Sequence, residues 1–187
     1  MAALLVSCGM NTSKEALINK VAEVPTEAVE TAVKATTERD GYTFNTSFRK
    51  DENGQCDAIV LTCQKGEKSQ QFVIELIWPK GMDFLGGAGN VEEEDINFDG
   101  IPDVLLYIGS FSIDSPLEYY AAFVWDEAGQ SFKEVEGYTG IPNPIIDAKN
   151  KVIISKYMDL SDNVIEEVYG WVGGELVPIT DGSEEGE

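Results

Sequence analysis

DINFDGIPD, residues 95–103, runs directly into VLLYIGSF, residues 104–111, and the reading of this stretch decides the fold. Oxygen-bearing side chains fall at Asp95, Asn97, Asp99 and Asp103, with Gly100 among them. A calcium ion takes roughly six to eight oxygens at about 2.3–2.6 Å. A chain supplies them by offering alternate side chains while it curls around the ion. Asp95, Asn97 and Asp99 then stand at positions one, three and five of such a loop. Gly100, at position six, turns sharply without a Cβ penalty. Ile101 offers its backbone carbonyl at position seven, and Asp103 closes the ring at nine, directly or through water. Pro102 has no N–H and stiffens the exit. An EF-hand needs a bidentate Glu at position twelve and an exiting helix; that position is Leu106, and the apolar run after Asp103 reads as a strand. The competing reading is an acidic turn that starts a strand. It accounts for one Asp and one Gly, but not for several carboxylates set close enough to repel.

Working outward, the chain from Gly41 onward alternates and turns like a β protein. YTFNTSF (42–48) puts Tyr42, Phe44, Thr46 and Phe48 on one face. CDAIVLTCQ (56–64) and QQFVIELIW (70–78) form a hairpin around KGEK. Further strands are expected over 104–111, 118–126, 131–137, 151–159, 163–172 and 175–179, with 139–151 a long connection bearing two prolines. The Gly-rich stretch 82–91 lacks the Lys-Ser/Thr ending of a phosphate-binding loop and leads into Glu92, Glu93 and Glu94, which read as a solvated strand entry, with Glu92 or Glu94 as a further candidate ligand. Nine or so short strands without a strong helix imply an all-β fold. The expected architecture is an antiparallel meander, incomplete and β-propeller-like, with a β-sandwich as the alternative and an N-terminal tether. Cys56 and Cys63 lie seven positions apart in one expected strand, roughly 23 Å, on opposite faces. They are expected to be unpaired and buried.

The domain plan follows from composition shifts. Residues 1–8 end in Leu5-Val6-Ser7-Cys8, which resembles the lipobox of bacterial lipoproteins, where the cysteine is acylated. The usual basic n-region is missing, so the start of the precursor is expected upstream. Residues 9–40 are rich in Thr, Ala, Glu, Lys and Val and lack aromatics. They read as a tether with one short helix over 26–38, where Ala28, Val29, Ala32 and Val33 make a weak stripe. Residues 41–180 form the β domain, and 181–187 an acidic tail. No apolar stretch is long enough for a transmembrane helix, so membrane attachment is expected only through a lipid on Cys8.

Composition narrows the function. The 187 residues carry a formal net charge of −21 and no histidine. Such a chain repels nucleic acid and anionic lipid and attracts divalent cations and basic proteins. Arg39 and Arg49 are the only arginines, too few for forked recognition of phosphate or carboxylate ligands. Without histidine there is no Ser-His-Asp or Cys-His pair and no histidine-ligated zinc. The chain is therefore expected not to be an enzyme. A hydrolase using two carboxylates remains as an alternative.

The longer series DINFDGIPDVLLY, EYYAAFVWDEAGQSFKEVEG, NPIIDAKNKVIISKY and YGWVGGELVPI resembles a known family. Its calcium loop is similar to those of FG-GAP and VCBS-type propeller repeats, and the whole resembles small bacterial lipoproteins with one such loop and an incomplete propeller. The resemblance implies calcium bound at Asp95, Asn97, Asp99, Ile101 and Asp103. It also implies a location in the bacterial envelope, facing the periplasm or the outside. Members of that group include periplasmic inhibitors of lysozyme-like secreted effectors, so a basic, lysozyme-like partner is implied. No inhibitory motif is visible in this chain. A second functional reading is a glycan- or ligand-binding lipoprotein, with Trp78, Trp125, Trp171, Tyr119 and Tyr120 as a stacking platform; the alternative for those rings is the core.

Overall fold

A computed structural model describes residues 37–39, 41–76, 87–110, 117–159 and 161–179. They form three four-stranded antiparallel sheets, each a meander in chain order. The first holds β1 (Thr37–Arg39), β2 (Tyr42–Lys50), β3 (Cys56–Lys65) and β4 (Lys68–Glu75). The second holds β5 (Val91–Glu94), β6 (Asp103–Ser110), β7 (Glu118–Asp126) and β8 (Ser131–Glu134). After a short 3-10 helix, Tyr138–Gly140, the third holds β9 (Pro144–Asp147), β10 (Val152–Met158), β11 (Val164–Val172) and β12 (Glu175–Pro178). No sheet closes into a barrel. The all-β meander expected from the sequence is what forms.

The second sheet is the middle layer, and its sequence shows why. Alternate residues of a strand point to opposite faces. On β6, Val104 and Leu106 enter a core shared with the first sheet, where they meet Phe44, Ile59, Leu61 and Ile74. Leu105 enters a separate core shared with the third sheet, alongside Ile96, Tyr138 and Ile153. β7 divides likewise, with Ala121 and Phe123 on one side and Ala122 on the other. A strand covered on both faces has no use for polar alternation, which explains the nearly unbroken apolar run after Asp103. Gly109 (φ 140°) accommodates a register shift where β6 pairs with β7.

Each joint between sheets carries a side-chain amide used as backbone. Gln70 of β4 donates from Nε2 to the Phe132 carbonyl (2.6 Å) and accepts from the Phe132 N–H (3.0 Å), tying the first sheet to β8. Asn143 (φ 47°) accepts at Oδ1 from the Glu118 N–H (2.8 Å) and donates from Nδ2 to the Lys156 carbonyl (3.3 Å), tying β7 to the third sheet.

Three strands escaped the sequence reading. β1 occupies Thr37–Arg39, so the helix expected over 26–38 fails at its last two residues, and the first sheet begins inside the stretch read as a tether. β5, Val-Glu-Glu-Glu, looked like a solvated run because it is a short edge. β9 was hidden by its opening proline, which an edge strand tolerates. Cys8, Trp78, the rest of the tether and the tail lie outside the described residues. Cys56 and Cys63 share β3 and are both free. Cys63 is buried, which pushes its thiol up to about 12; Cys56 is only half-buried, a correction to the expected pair of buried thiols.

Two hairpins use one loop design with different residues. In 51–55, the Asp51 carboxylate accepts from the N–H groups of Asn53 (2.8 Å) and Gln55 (2.9 Å). In 159–163, Asp159 accepts from Ser161 (2.8 Å) and Asn163 (2.9 Å). The fourth position is left-handed in both: Gly54 (φ 77°) in one, Asp162 (φ 61°) in the other. A Cβ in that region is strained, modestly so for Asp. Asp162→Gly is therefore expected to raise stability by a few tenths to about 1 kcal/mol in urea unfolding; a loss of stability would show that the Asp162 side chain has a role of its own.

Candidate metal centre

Residues 95–103 link β5 to β6, and the loop is wedged rather than free. Ile96 is fully buried in the second core, and Phe98 packs against that core from a left-handed backbone (φ 62°). Gly100 is left-handed as well (φ 86°). These two residues, on either side of Asp99, curl the chain.

Inside the curl the oxygens organise the backbone. Asp95 accepts from the N–H groups of Asp99 (Oδ1, 3.1 Å) and Gly100 (Oδ2, 2.9 Å). Asn97 Oδ1 accepts from Asp99 N–H (3.0 Å), and Asp99 Oδ1 accepts from Ile101 N–H (2.7 Å). Asn97 Nδ2 donates to Asp99 Oδ2 at 3.0 Å. Asp95, Asn97 and Asp99 are linked by these bonds, with Gly100 and Ile101 at the turn.

Asp103 is set differently. It is fully buried, and its oxygens face inward. Oδ2 accepts from the N–H groups of Ile96 (3.1 Å) and Asn97 (3.3 Å), and Oδ1 from that of Trp125 on β7 (2.9 Å). Burial pushes its carboxyl up to about 6, while the Trp125 and Ile96 N–H groups pull the other way. Among the described residues no three Asp, Glu, Cys or His side chains converge as a ready cluster. The inward turn of Asp103 is consistent with that: the loop presents two carboxylates and one amide, with Asp103 behind them.

That donor set fits a hard cation. Asp95 and Asp99 supply carboxylates, Asn97 an amide oxygen and Ile101 a carbonyl, all oxygens of the kind calcium takes. Each carboxylate accepts two N–H bonds here, one on each oxygen, and retains lone pairs. Glu92 and Glu94 instead line a cavity of about 210 Å³ with Leu105, Tyr120, Pro144 and Ile146.

The five aromatics considered as a platform are not assembled into one. Trp125 and Tyr119 pack against the first core, Tyr120 and Trp171 against the second, and Trp78 lies outside the described residues. Trp171 Nε1 donates to the Ile96 carbonyl (2.7 Å), which fastens the third sheet to the loop. Trp125 forms a herringbone cluster with Tyr42 and Phe132, at centroid distances of 5.5 and 5.1 Å. Beside it lies a cavity of about 300 Å³ that reaches Ile101 of the loop and carries Lys65, Glu127 and Gln130. Sequence reasoning missed that cavity, because Tyr42 and Lys65 of the first sheet meet Phe132 of the second only in the folded chain.

Asp103→Asn preserves shape while converting one acceptor oxygen into a donor. The new NH₂ must face backbone N–H groups, leaving at least one buried donor unpaired. The expected cost is about 1–3 kcal/mol, read by urea unfolding without divalent ions. An unchanged midpoint would show that the Asp103 anchor contributes nothing.

No protein-family model matches the chain, and no curated protein matches it. Among solved structures it is similar to one described as the structure of a Xanthomonas type IV secretion system related protein. The two are 13% identical, with a TM-score of 0.40 over 79% of this chain and 93% of that one.

Proposed function

We propose that this protein is a non-enzymatic, calcium-stabilised binding module of the bacterial envelope, carried by a lipid on Cys8, with a basic, lysozyme-like protein as its partner. The observation that carries the reading is the 95–103 loop: it offers oxygens from Asp95, Asn97, Asp99 and Ile101 on one side and buries Ile96 and Phe98 in a sheet joint on the other. An ion held there neutralises the repulsion between Asp95 and Asp99 and fixes the curl that positions Asp103 and the Trp171 contact. Its role is structural. The succession of four-stranded meanders, one of them fed by this loop, supports the resemblance to propeller-type calcium-binding lipoproteins. The lipid anchor rests on Leu5-Val6-Ser7-Cys8 alone.

The partner class rests on charge. A net charge of −21 steers a cationic protein towards the surface and raises its association rate, an effect that salt weakens.

A second reading, glycan or small-ligand binding, is favoured by the cavity beside Trp125 and by a separate cleft of about 480 Å³ that includes Trp171, Glu134 and Glu175. That cleft is also where a carboxylate-pair hydrolase would have its acid, since burial raises the Glu134 carboxyl above the usual range.

Two measurements test the leading reading. At calcium about 100-fold above its dissociation constant the fold gains about 2.7 kcal/mol, a rise in melting midpoint of about 5–10 °C for a chain of this size. EDTA should remove the gain, and Asp95→Ala/Asp99→Ala should lack it; a midpoint indifferent to calcium rejects the ion. For the partner, titration of a lysozyme-like enzyme with the protein should show inhibition that weakens with salt. Undiminished enzyme activity at low salt removes that partner class and leaves the calcium result standing.

A further inference from the structure

The turn between β7 and β8 is tied to its own side chains, and it holds polar groups at the cavity beside Trp125. Trp125 Nε1 donates to Glu127 Oε2 (2.8 Å), Gln130 Nε2 donates to the Glu127 carbonyl (2.8 Å), and Lys133 pairs with Asp126 at 2.6 Å. A Cβ on Gly129 would stand 2.7 Å from Asp126 Oδ2, so the turn has no slack there. The first sheet supplies the facing wall, where Lys65 Nζ lies over the Tyr42 ring, 4.8 Å from its centroid. Phe132, buried, lines the cavity too, and Ile101 brings in the 95–103 loop. In a chain with 34 acidic residues, Lys65 has no carboxylate partner among the described residues.

We propose that this cavity binds a single neutral sugar ring, its C–H face against the aromatic wall and its hydroxyls on Lys65, Glu127 and Gln130. The proposal rests on the ligand-binding reading above, gives it a ligand class, and places it here rather than in the cleft at Trp171.

Three observations select that ligand. The first is the hydrogen-bonding complement. The Lys65 ammonium only donates and the Glu127 carboxylate only accepts, while Gln130, with its Nε2 engaged, keeps an acceptor oxygen. A small ligand that must both accept and donate within one cavity is met by hydroxyls, each of which does both. The second is charge. Lys65 and Glu127 cancel, so the cavity draws neither a free anion nor a free cation, and the net −21 of the chain repels anions further. A zwitterion would meet both charges, but Lys65 and Glu127 are exposed, where water screens such pairs. A wholly apolar ligand would strip water from both groups and return nothing. The third is shape. Trp125, Tyr42 and Phe132 give an aromatic wall. A volume of about 300 Å³ stands at the small end of ligand pockets and suits one ring. The cleft at Trp171 is different in kind: it carries Glu134, Glu136 and Glu175, and its Lys133 is paired with Asp126. Such a cleft suits a cation.

Calorimetric titration of the full chain with D-glucose, D-galactose and N-acetyl-D-glucosamine tests this, run both in calcium and in EDTA because Ile101 belongs to the acidic loop. At least one of the three is expected to bind in the millimolar range usual for so small a ligand. Its affinity should hold as salt rises from about 0.05 to about 0.5 M, unlike the capture of a basic protein. Lys65→Met keeps the stem on Tyr42 and removes the donor, and Gln130→Ala removes the amide; each should weaken binding at least about 5-fold. Both positions are exposed, so an unchanged melting midpoint checks that the variants fold. Glu175→Gln, in the other cleft, should leave the affinity unchanged. Sugar binding indifferent to Lys65→Met and Gln130→Ala overturns this site and leaves the ligand-binding reading standing. Binding of D-glucuronate or L-alanine in place of the neutral sugars overturns the ligand class and likewise leaves that reading standing. No binding of any of the five up to about 100 mM, in either condition, overturns both.

Discussion

The carboxylate of Asp103 is where the structure is tied together. It sits at the first residue of the central strand β6, fully buried, and takes N–H bonds from Ile96, Asn97 and Trp125. One side chain thereby holds the exit of an acidic loop, the loop's own entry and the neighbouring strand β7. Because Ile96 also accepts the Trp171 indole N–H, the third sheet is fixed to the same point. A buried carboxylate is costly unless its lone pairs are used, and here three backbone donors use them. Those donors need partners as much as the carboxylate does, since an orphaned buried N–H costs about as much as the bond it lacks.

That anchor brings clustered negative charge into the fold. Asp95 and Asp99 face one another within a single turn, and Asp99 also acts on Asp103, raising its carboxyl further. A chain with 34 acidic against 13 basic residues has little of its own to neutralise them with. Among the described residues, ion pairs join Arg49 with Asp57 and Glu75, Lys133 with Asp126, and Lys156 with Glu166, all away from this loop. On the reading proposed above, a hard cation would supply that counter-charge and would firm the joint between the second and third sheets.

Much of the fold was legible in periodicity. The alternation of Tyr42, Phe44, Thr46 and Phe48 gave the inner face of β2, and the unbroken apolar run after Asp103 marked the strand covered on both sides. Three edge strands, β1, β5 and β9, were not legible: β1 has only three residues, and β5 and β9, at four, are disguised by glutamates and a proline, whereas β8 and β12, equally short, follow clear turns and were read. In the candidate site, the positions of Asp95, Asn97, Asp99 and Ile101 could be read from spacing alone. The inward turn of Asp103 could not, since its partner Trp125 is 22 residues away and reaches it only through strand pairing. The division of Trp125 and Trp171 between two cores likewise depends on which sheet lies in the middle, a tertiary fact with no local signal.

Native-state amide hydrogen exchange at Ile96, Asn97 and Trp125 tests the central role of Asp103 most directly. If this carboxylate holds the sheets together, all three amides exchange only through global unfolding, with protection matching that of core amides on β6 and β7. Exchange of Ile96 and Asn97 at the rate of an open loop, while β6 stays protected, would contradict it.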